Sequence, residues 1–321
     1  MKETTQTIAC IGGIVADRKA RVPGGVRPGT SNPVSVTTTT GGVASNIARN
    51  LARLECRVSL FSIVGEDAAA VAALRDLQTS GVDASATVRS DHHPTASYTA
   101  VLEPEGELFI GLADMDIFEE LDVAWADRIA PRLAEYAFWV VDTNLPASTI
   151  ERLLKKHKGK AKVLADPISI VKSQRIRSSL AAVDVLFPNR KEAAVLTGLP
   201  AETHVEVTKA AAELRRLGVG TVVVTMGSEG IYVHSGEGGR FLSVIPAKRV
   251  LDVTGAGDAL VAGYAYGMLS GASDDPALYG LAAASLTVET ENSIAEDLTP
   301  ARLRERIRSN SSARPAHESL S

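Results

Sequence analysis

The sequence predicts an α/β protein in which helices cover both faces of a mostly parallel β-sheet. Short runs rich in β-branched residues recur along the chain, at 8–12, 58–65, 138–142, 162–167, 184–189 and 221–227. Amphipathic stretches separate most of these runs, as in the helical spacing of Ile47, Leu51 and Leu54. Strands that alternate with helices form parallel sheets with helices on both faces, so we expect three α/β/α layers.

Two segments interrupt this alternation. Residues 14–40 and 95–112 contain strand-like runs, SVTTTT and SYTAVLEPEGELFIGL, and the second run turns at PEG. No long helix lies between the strands of either segment. We expect them to form a small β lid inserted into the N-terminal half of one domain, 1–308. The Ser-rich stretch 309–321 lacks periodicity and is predicted to be a disordered tail.

The composition restricts the function classes. Hydrophobic residues make up 45% and charged residues 22% of the chain, and no apolar run approaches the roughly 20 residues of a membrane span. The net charge is −4 with scattered Lys and Arg, which argues against a nucleic-acid partner. The start MKETTQT lacks the apolar stretch of a secretory signal. We expect a cytoplasmic protein that binds a small molecule and no membrane.

The stretch DVTGAGDALVAG, 252–263, is typical of a loop that opens a helix and binds an anion. Gly255, Ala256 and Gly257 are small enough for successive backbone N–H groups to point at one spot. Asp258 is unexpected there, because a carboxylate repels a phosphate. An alternative is that the glycines permit tight packing and Asp258 favours the helix N-terminus. No G-x-x-x-x-G-K-[ST] motif occurs, which excludes a P-loop.

Three further loops carry candidate binding residues. In TTTTGGVASN, Gly41 and Gly42 let a ligand approach the backbone and Asn46 can hydrogen-bond a polyol, although the pair also suits an ordinary strand-to-helix turn. In FPNRKEA, Asn189 and Glu192 suit a hydrated Mg²⁺, although acids are common at helix starts. VVVTMGSEGIYV is either a hairpin that borders a nucleotide or an ordinary hairpin.

In this order, these motifs resemble the ribokinase-like, or PfkB carbohydrate kinase, family over residues 8 to about 300. The resemblance rests on Asp17 ending GGIVAD, the GG…N loop, N-x-x-E at 189–192, T-x-G-S-x-G at 225–230 and D-x-T-G-A-G-D at 252–258. It implies a ribokinase-like three-layer sandwich with a β-sheet lid. GLADMDIF, VVDTNLP, LADPISIVK and LTVETENSI resemble one branch, the pseudouridine kinases.

The resemblance implies a phosphotransferase that uses ATP and Mg²⁺ to phosphorylate the ribose 5′-hydroxyl of pseudouridine. Asp258 would be the general base, and Gly255, Ala256 and Gly257 the anion hole for the transferring group. Two alternatives stay open. One is a kinase of a free sugar or of another nucleoside, and the other is a ligand-binding protein that lost the chemistry.

The same resemblance distributes the remaining roles. The acceptor would be bound by Asp17, Gly41, Gly42 and Asn46, with Ser97, Met115 and Asp116 near its base. The nucleotide would be bordered by Lys172, Asn189, Thr225, Gly227 and Gly230. Mg²⁺ would be held through water by Glu192 and Asn189, and K⁺ by Asp252 and Thr254. Asp116 equally suits a helix start and Lys172 a solvated side chain. The open edge of the lid could pair across two subunits in a homodimer.

Overall fold

The computed structural model describes residues 7–157, 159, 161–271 and 275–313, and strands alternate with helices along them. The strands are β1 (Thr7–Ile11), β2 (Val15–Arg21), β3 (Ser35–Gly41), β4 (Arg57–Phe61), β5 (Ile63–Val64), β6 (Val88–Arg89), β7 (Ser97–Leu102), β8 (Leu108–Asp114), β9 (Phe138–Asp142), β10 (Lys162–Asp166), β11 (Val185–Leu186), β12 (Thr221–Thr225), β13 (Ile231–Ser235) and β14 (Gly238–Leu242). The helices are α1 (Val43–Arg53), α2 (Ala68–Thr79), α3 (Val123–Leu133), α4 (Ala147–His157), α5 (Ile170–Ser173), α6 (Arg190–Thr197), α7 (His204–Arg216), α8 (Ala256–Ser270), α9 (Pro276–Thr287) and α10 (Pro300–Ala313).

The central sheet has the order β14-β13-β12-β11-β10-β9-β1-β4. Its pairs from β12 to β4 are parallel, and β13 and β14 add an antiparallel edge. The carboxyl ends of β1, β9 and β10 therefore meet at one edge of the sheet, where open α/β sheets bind their ligands.

Alternate residues of the central strands enter two separate cores. Ile8 and Cys10 of β1 pack with residues of α1, α8 and α9, whereas Ala9 and Ile11 pack with residues of α3, α4 and α7. This period of two places one layer of helices on each face of the sheet. The predicted three-layer α/β/α fold is confirmed.

The lid is a second sheet with the order β3-β2-β7-β8. Both predicted segments contribute, because β2 pairs with β3 on one side and with β7 on the other, with Asp17 opposite both Thr39 and Tyr98. All of β8, at the edge, is exposed. A smaller separate sheet beside the main one confirms the predicted lid.

Helices α8 and α9 pack closely through glycines. A Cβ atom at Gly263 would lie 2.4 Å from the Tyr279 carbonyl oxygen, and one at Gly267 would lie 2.8 Å from Pro276 Cα. Either distance is shorter than carbon contacts allow, so only glycine permits this separation of the two backbones. The contact fixes α8, the helix that follows the glycine-rich loop.

The C-terminal helix α10 extends past residue 309, where the sequence predicted that a tail begins. Ile307 is buried in the core, and Ser309 Oγ donates a hydrogen bond of 2.6 Å to the Glu305 carbonyl oxygen. These contacts continue the helix through Ser-rich sequence of low helical propensity. Residues 314–321 of the predicted tail lie outside the described residues. Among the helices that the structure describes, none is long and apolar enough to cross a membrane.

Candidate active site

A cavity of about 190 Å³ opens at the carboxyl edge of the central sheet. It is lined by Val43, Asp166, Ile168, Phe187, Asn189, Glu192, Thr225, Gly257, Asp258, Leu260 and Val261. Five segments that are distant in sequence therefore meet at one place. Asp258, Gly257, Asn189, Glu192 and Thr225 were predicted site residues, and Asp166 was not.

Asp258 lies in the first turn of α8 and contacts the GG…N loop, 41–46, which is the predicted acceptor loop. Asn46 Nδ2 donates a hydrogen bond of 2.8 Å to Asp258 Oδ2, across 212 positions of sequence. Burial raises the pKa of Asp258 to about 7, with Asp142 and Asp17 acting in the same direction and the Asn46 bond opposing them. A carboxyl group with this pKa can accept a proton near neutral pH.

The glycine-rich loop leads into α8 without a side-chain cap. Gly255 is the N-cap residue at φ 79°, a conformation that favours glycine, and no side chain caps the helix. A Cβ at Gly255 would lie 2.1 Å from the Ser293 carbonyl oxygen, so the loop is packed against residues near 293. A Cβ at Gly257 would meet nothing within 4 Å. The Ala256 amide already donates to the Val253 carbonyl oxygen at 3.2 Å, so Gly255 and Gly257 are the predicted anion-binding amides that no side chain caps.

Asp17 and the two glycines of the acceptor loop are in close contact. A Cβ at Gly41 would lie 1.9 Å from Asp17 Oδ2, and one at Gly42 would lie 2.4 Å from the Gly13 carbonyl oxygen. Gly42 is also the N-cap of α1 at φ 95°. Burial raises the pKa of Asp17 to about 6, against the opposing charge of Lys19. The structure brings Asp17, Gly41, Gly42 and Asn46 close together, and their role in substrate binding stays a prediction.

Asn189 and Glu192 form a capping box at the start of α6. Glu192 N donates to Asn189 Oδ1 at 3.0 Å, and Asn189 N donates to Glu192 Oε2 at 2.9 Å. Glu192 is nevertheless 4% exposed, and burial raises its pKa. Within the described parts of the chain, no three His, Cys, Asp or Glu side chains are grouped to hold a metal. Oxygen donors on the cavity wall fit Mg²⁺ that keeps most of its waters.

Sequence reasoning missed two acids, Asp142 and Asp166. Each ends a buried parallel strand, so an acid directly after an apolar run was the available signal. Burial raises the pKa of Asp166 well above its usual value, and the charges of Asp258 and Glu192 raise it further. Asp166 Oδ1 accepts a 2.7 Å hydrogen bond from the amide of Ile168, which has the unusual φ of 63°. This φ strains the backbone of a β-branched residue, and Ile168 lines the cavity.

The predicted base-contacting residues lie where the lid meets the body. Ser97 begins β7 opposite Asp114, the last residue of β8. Met115 follows and is half-buried, and Asp116 is exposed at the start of a short 3₁₀ helix, 116–120. Ser97 and Met115 are therefore neighbours at one end of the lid, whereas Asp116 also has the helix-start position that was its alternative.

The remaining predicted nucleotide residues divide into two groups. Thr225 lines the cavity, and Gly227 and Gly230 form the turn between β12 and β13 with φ of 61° and 100°. Lys172 is not one of the residues that line the cavity. Its Nζ donates a hydrogen bond of 2.5 Å to Asn144 Oδ1. Burial lowers the pKa of Lys172.

Asp252 and Thr254, the predicted K⁺ ligands, are engaged with protein donors. Asp252 Oδ1 accepts from the amide and the hydroxyl of Thr254, at 2.8 and 2.7 Å. Asp252 Oδ2 accepts from Lys19 Nζ on the lid at 2.9 Å. Partial burial alone would raise the pKa of Asp252, but these hydrogen bonds lower it below its usual value.

Comparison with known proteins agrees with this geometry. The pfkB family carbohydrate kinase model matches residues 5–300. The chain is 32% identical to pseudouridine kinase of Escherichia coli K12 over 235 residues, covering 73% of this chain and 75% of that protein. It is 29% identical to ribokinase of Arabidopsis thaliana over 264 residues, covering 80% and 69%.

Solved structures give the same result. A carbohydrate kinase from Agrobacterium tumefaciens superposes with a TM-score of 0.82 at 30% identity, covering 94% of this chain and 97% of that one. Arabidopsis thaliana ribokinase complexed with ribose and ATP shares the fold, with a TM-score of 0.82 at 24% identity, covering 94% and 98%. The chain therefore belongs to the pfkB family of carbohydrate kinases, phosphotransferases that act on alcohol groups.

Proposed function

We propose that this protein is an ATP-dependent pseudouridine kinase that forms pseudouridine 5′-phosphate and ADP. The observation that carries the kinase assignment is the 2.8 Å hydrogen bond from Asn46 to Asp258, which joins the acceptor loop to the start of α8. The similarity to pseudouridine kinase of Escherichia coli K12 over 73% of this chain supports the choice of acceptor.

Asp258 is proposed to act as the general base. The acceptor hydroxyl oxygen attacks the γ-phosphorus of ATP, the bond to the bridging oxygen of ADP breaks, and Asp258 takes the hydroxyl proton. Phosphoryl transfer requires mainly positioning and charge neutralisation, which the amides of Gly255 and Gly257 would supply at the helix start. The predicted third amide, that of Ala256, instead donates to the Val253 carbonyl oxygen. The pKa of about 7 suits proton transfer at neutral pH.

The ribose is proposed to lie against Asp17, Gly41, Gly42 and Asn46. Asn46 Oδ1 is buried and has no hydrogen-bond partner among the described residues, so it can accept a hydrogen bond from a ribose hydroxyl. The Asp17 carboxylate can accept two vicinal hydroxyl donors. Ser97, Met115 and Asp116 are proposed to border the base.

The nucleotide and its Mg²⁺ are proposed to occupy the cavity. Thr225, Gly227 and Gly230 would border the nucleotide, and Asn189 and Glu192 would hold Mg²⁺ through water. A divalent cation would relieve the repulsion from Asp258 and Glu192 that adds to burial in raising the pKa of Asp166. Because Lys172 is bonded to Asn144, we assign it to the acceptor side.

A potassium ion fits Asp252 poorly. Both oxygens of this carboxylate accept hydrogen bonds, and one of them already faces the ammonium group of Lys19 at 2.9 Å. A K⁺ ion bound there would lie close to a like charge. No step proposed here depends on potassium.

A homodimer formed through the lid is also proposed. The edge strand β8 is exposed along its length, with Leu108, Phe109, Ile110 and Leu112 between 45% and 57% exposed. An open apolar edge is rarely left uncovered, and a second copy of the same strand can pair with it antiparallel. Sedimentation at micromolar concentration would give twice 33.7 kDa, whereas a stable monomer would contradict the proposal.

The acceptor is tested with a substrate panel. ADP formation is measured with pseudouridine, uridine, cytidine, adenosine, ribose and fructose at matched concentrations. We expect the highest kcat/KM with pseudouridine and a product phosphorylated on the 5′-oxygen. A preference for ribose or fructose would show that the protein is a kinase with a different acceptor. Inactivity with the whole panel would contradict the proposed function.

A further inference from the structure

Asp142 is a fully buried carboxylate at the end of β9 to which the proposed mechanism assigns no role. Its Oδ2 accepts hydrogen bonds from Gly13 N at 2.9 Å, Ala44 N at 3.0 Å and Asn144 Nδ2 at 3.1 Å. Its Oδ1 accepts from Asn144 N at 2.8 Å. All four partners are N–H donors, an arrangement that matches an ionised carboxylate and no neutral side chain of that size.

The donors belong to the segments that carry the acceptor-binding residues. Gly13 lies between β1 and β2, and β2 carries Asp17. Ala44 lies in the first turn of α1, two positions before Asn46. One carboxylate therefore ties together two segments that are 98 and 129 positions away from it in sequence.

The glycines of the GGIVAD motif exist at the closest point of this contact. A Cβ at Gly12 would lie 2.2 Å from Asp142 Cγ, and a Cβ at Gly13 would lie 2.4 Å from Asn144 Nδ2. Both distances are far below van der Waals contact, so a side chain at either position would displace the Asp142 or the Asn144 side chain. This close contact explains why glycine occupies positions 12 and 13, which neither substrate contact nor turn formation explains.

The charge of Asp142 is balanced through Asn144. Asn144 Nδ2 donates to Asp142, and Asn144 Oδ1 accepts from Lys172 Nζ at 2.5 Å. Arg175 Nη1 donates to the Asn144 carbonyl oxygen at 2.7 Å. A buried charge with oriented donors and a nearby cation is stable as a fixed element of structure.

We propose that Asp142 is a positioning residue for the acceptor substrate, and that the Asp142, Asn144 and Lys172 network fixes the loops bearing Asp17 and Asn46. This inference rests on the proposed kinase function. It predicts a selective effect on KM, because the four hydrogen bonds that Asp142 accepts within the described chain all come from the acceptor side. At the start of α8, Asp142 acts through its charge, which raises the pKa of Asp258.

Asp142→Asn tests the inference. An amide has one acceptor oxygen and must turn its own donors toward one of the N–H groups, so the loops shift. We expect the KM for pseudouridine to rise by about 10- to 100-fold, because misplacing a substrate by up to about 1 Å has an effect of this size. The KM for ATP should stay within about twofold of the wild-type value. If the variant does not fold, Asn144→Ala replaces it, with an expected rise of about threefold or more in the same KM.

Thr149→Val is the matched control. Thr149 is also fully buried, and its Oγ1 donates to the Leu121 carbonyl oxygen at 2.6 Å, not to a residue of the acceptor loops. It should lower the unfolding temperature without changing either KM. If Asp142→Asn behaves like this control, or raises both KM values equally, Asp142 is merely structural and the inference is wrong. A wild-type protein inactive with every acceptor would overturn the proposed function and this inference together.

Discussion

The proposed acceptor side of the site, with Gly41 and Gly42, and the proposed phosphate side, the loop 252–258, differ in what surrounds their glycines. On the acceptor side, added Cβ atoms at Gly41 and Gly42 would lie 1.9 and 2.4 Å from other protein atoms. On the phosphate side, an added Cβ at Gly257 would meet nothing within 4 Å, and Val253, Thr254 and Gly257 are exposed. Gly255 resembles the acceptor glycines, because its added Cβ would lie 2.1 Å from the Ser293 carbonyl oxygen. The protein itself therefore holds the acceptor loops and Gly255 in place, whereas Gly257 keeps space for the proposed phosphoryl group.

The largest expected effect comes from Asp258, where the two sides meet. Asp258→Asn keeps a partner for Asn46 but cannot accept the hydroxyl proton. We expect kcat to fall by about 10²- to 10⁴-fold with the substrate preferred in the panel. Steady-state kinetics measures the loss, and thermal unfolding verifies that the variant is folded. Turnover within a few-fold of wild type would show that another group is the base.

Adding one methyl group at Gly42 and one at Gly257 tests whether the two glycines have different roles. Gly42→Ala places a Cβ against the Gly13 carbonyl oxygen at φ 95°, so we expect a loss of about 2–4 kcal/mol in the free energy of unfolding.

Gly257→Ala places its Cβ in open space within a helix, so stability should stay equal or rise by about 0.5–1 kcal/mol. Its kcat should still fall, because the methyl group occupies space proposed for the phosphoryl group. Thermal unfolding and kinetics of the pair measure both effects. Equal destabilisation by the two substitutions would contradict the contrast between the sides.

The smallest effect is a pH dependence that needs no mutation. Asp258 must be ionised to accept a proton, and its pKa is about 7, so kcat/KM should fall as the pH drops below 7. Protonation of Asp258 alone lowers kcat/KM by up to tenfold per pH unit. The fall becomes steeper near pH 6, because Asp17 is also protonated there. Initial rates between pH 5.5 and 9 at saturating ATP and Mg²⁺ provide the measurement. A flat profile from pH 6 to 8 would be inconsistent with this role of Asp258.

The sequence predicted the architecture well because strand and helix periodicity is local. The apolar runs at 8–12, 138–142, 162–167 and 221–227 all became strands of the central sheet. Sequence motifs also identified Asp258, Asn189 and Glu192, which line one cavity. The order of the strands was not predicted, because it depends on packing between distant segments.

The same limit explains the residues that were missed. Asp142 lies within a quoted segment, but its donors Gly13 and Ala44 are 129 and 98 positions away. Lys19 contacts Asp252 across 233 positions, and no local pattern predicts that an ammonium group faces a proposed K⁺ ligand. Such long-range contacts exist only once the fold has formed.

The glycine contact between α8 and α9 has a consequence for how the enzyme can change over evolution. Gly263 and Gly267 let the α9 backbone lie against α8, the helix whose first turn holds Asp258. Any larger residue there would tilt or lift α8 and displace Asp258, even though neither glycine touches a substrate. New acceptor specificities should therefore arise by substitution in the lid strands, while this helix pair changes little among descendants that remain kinases.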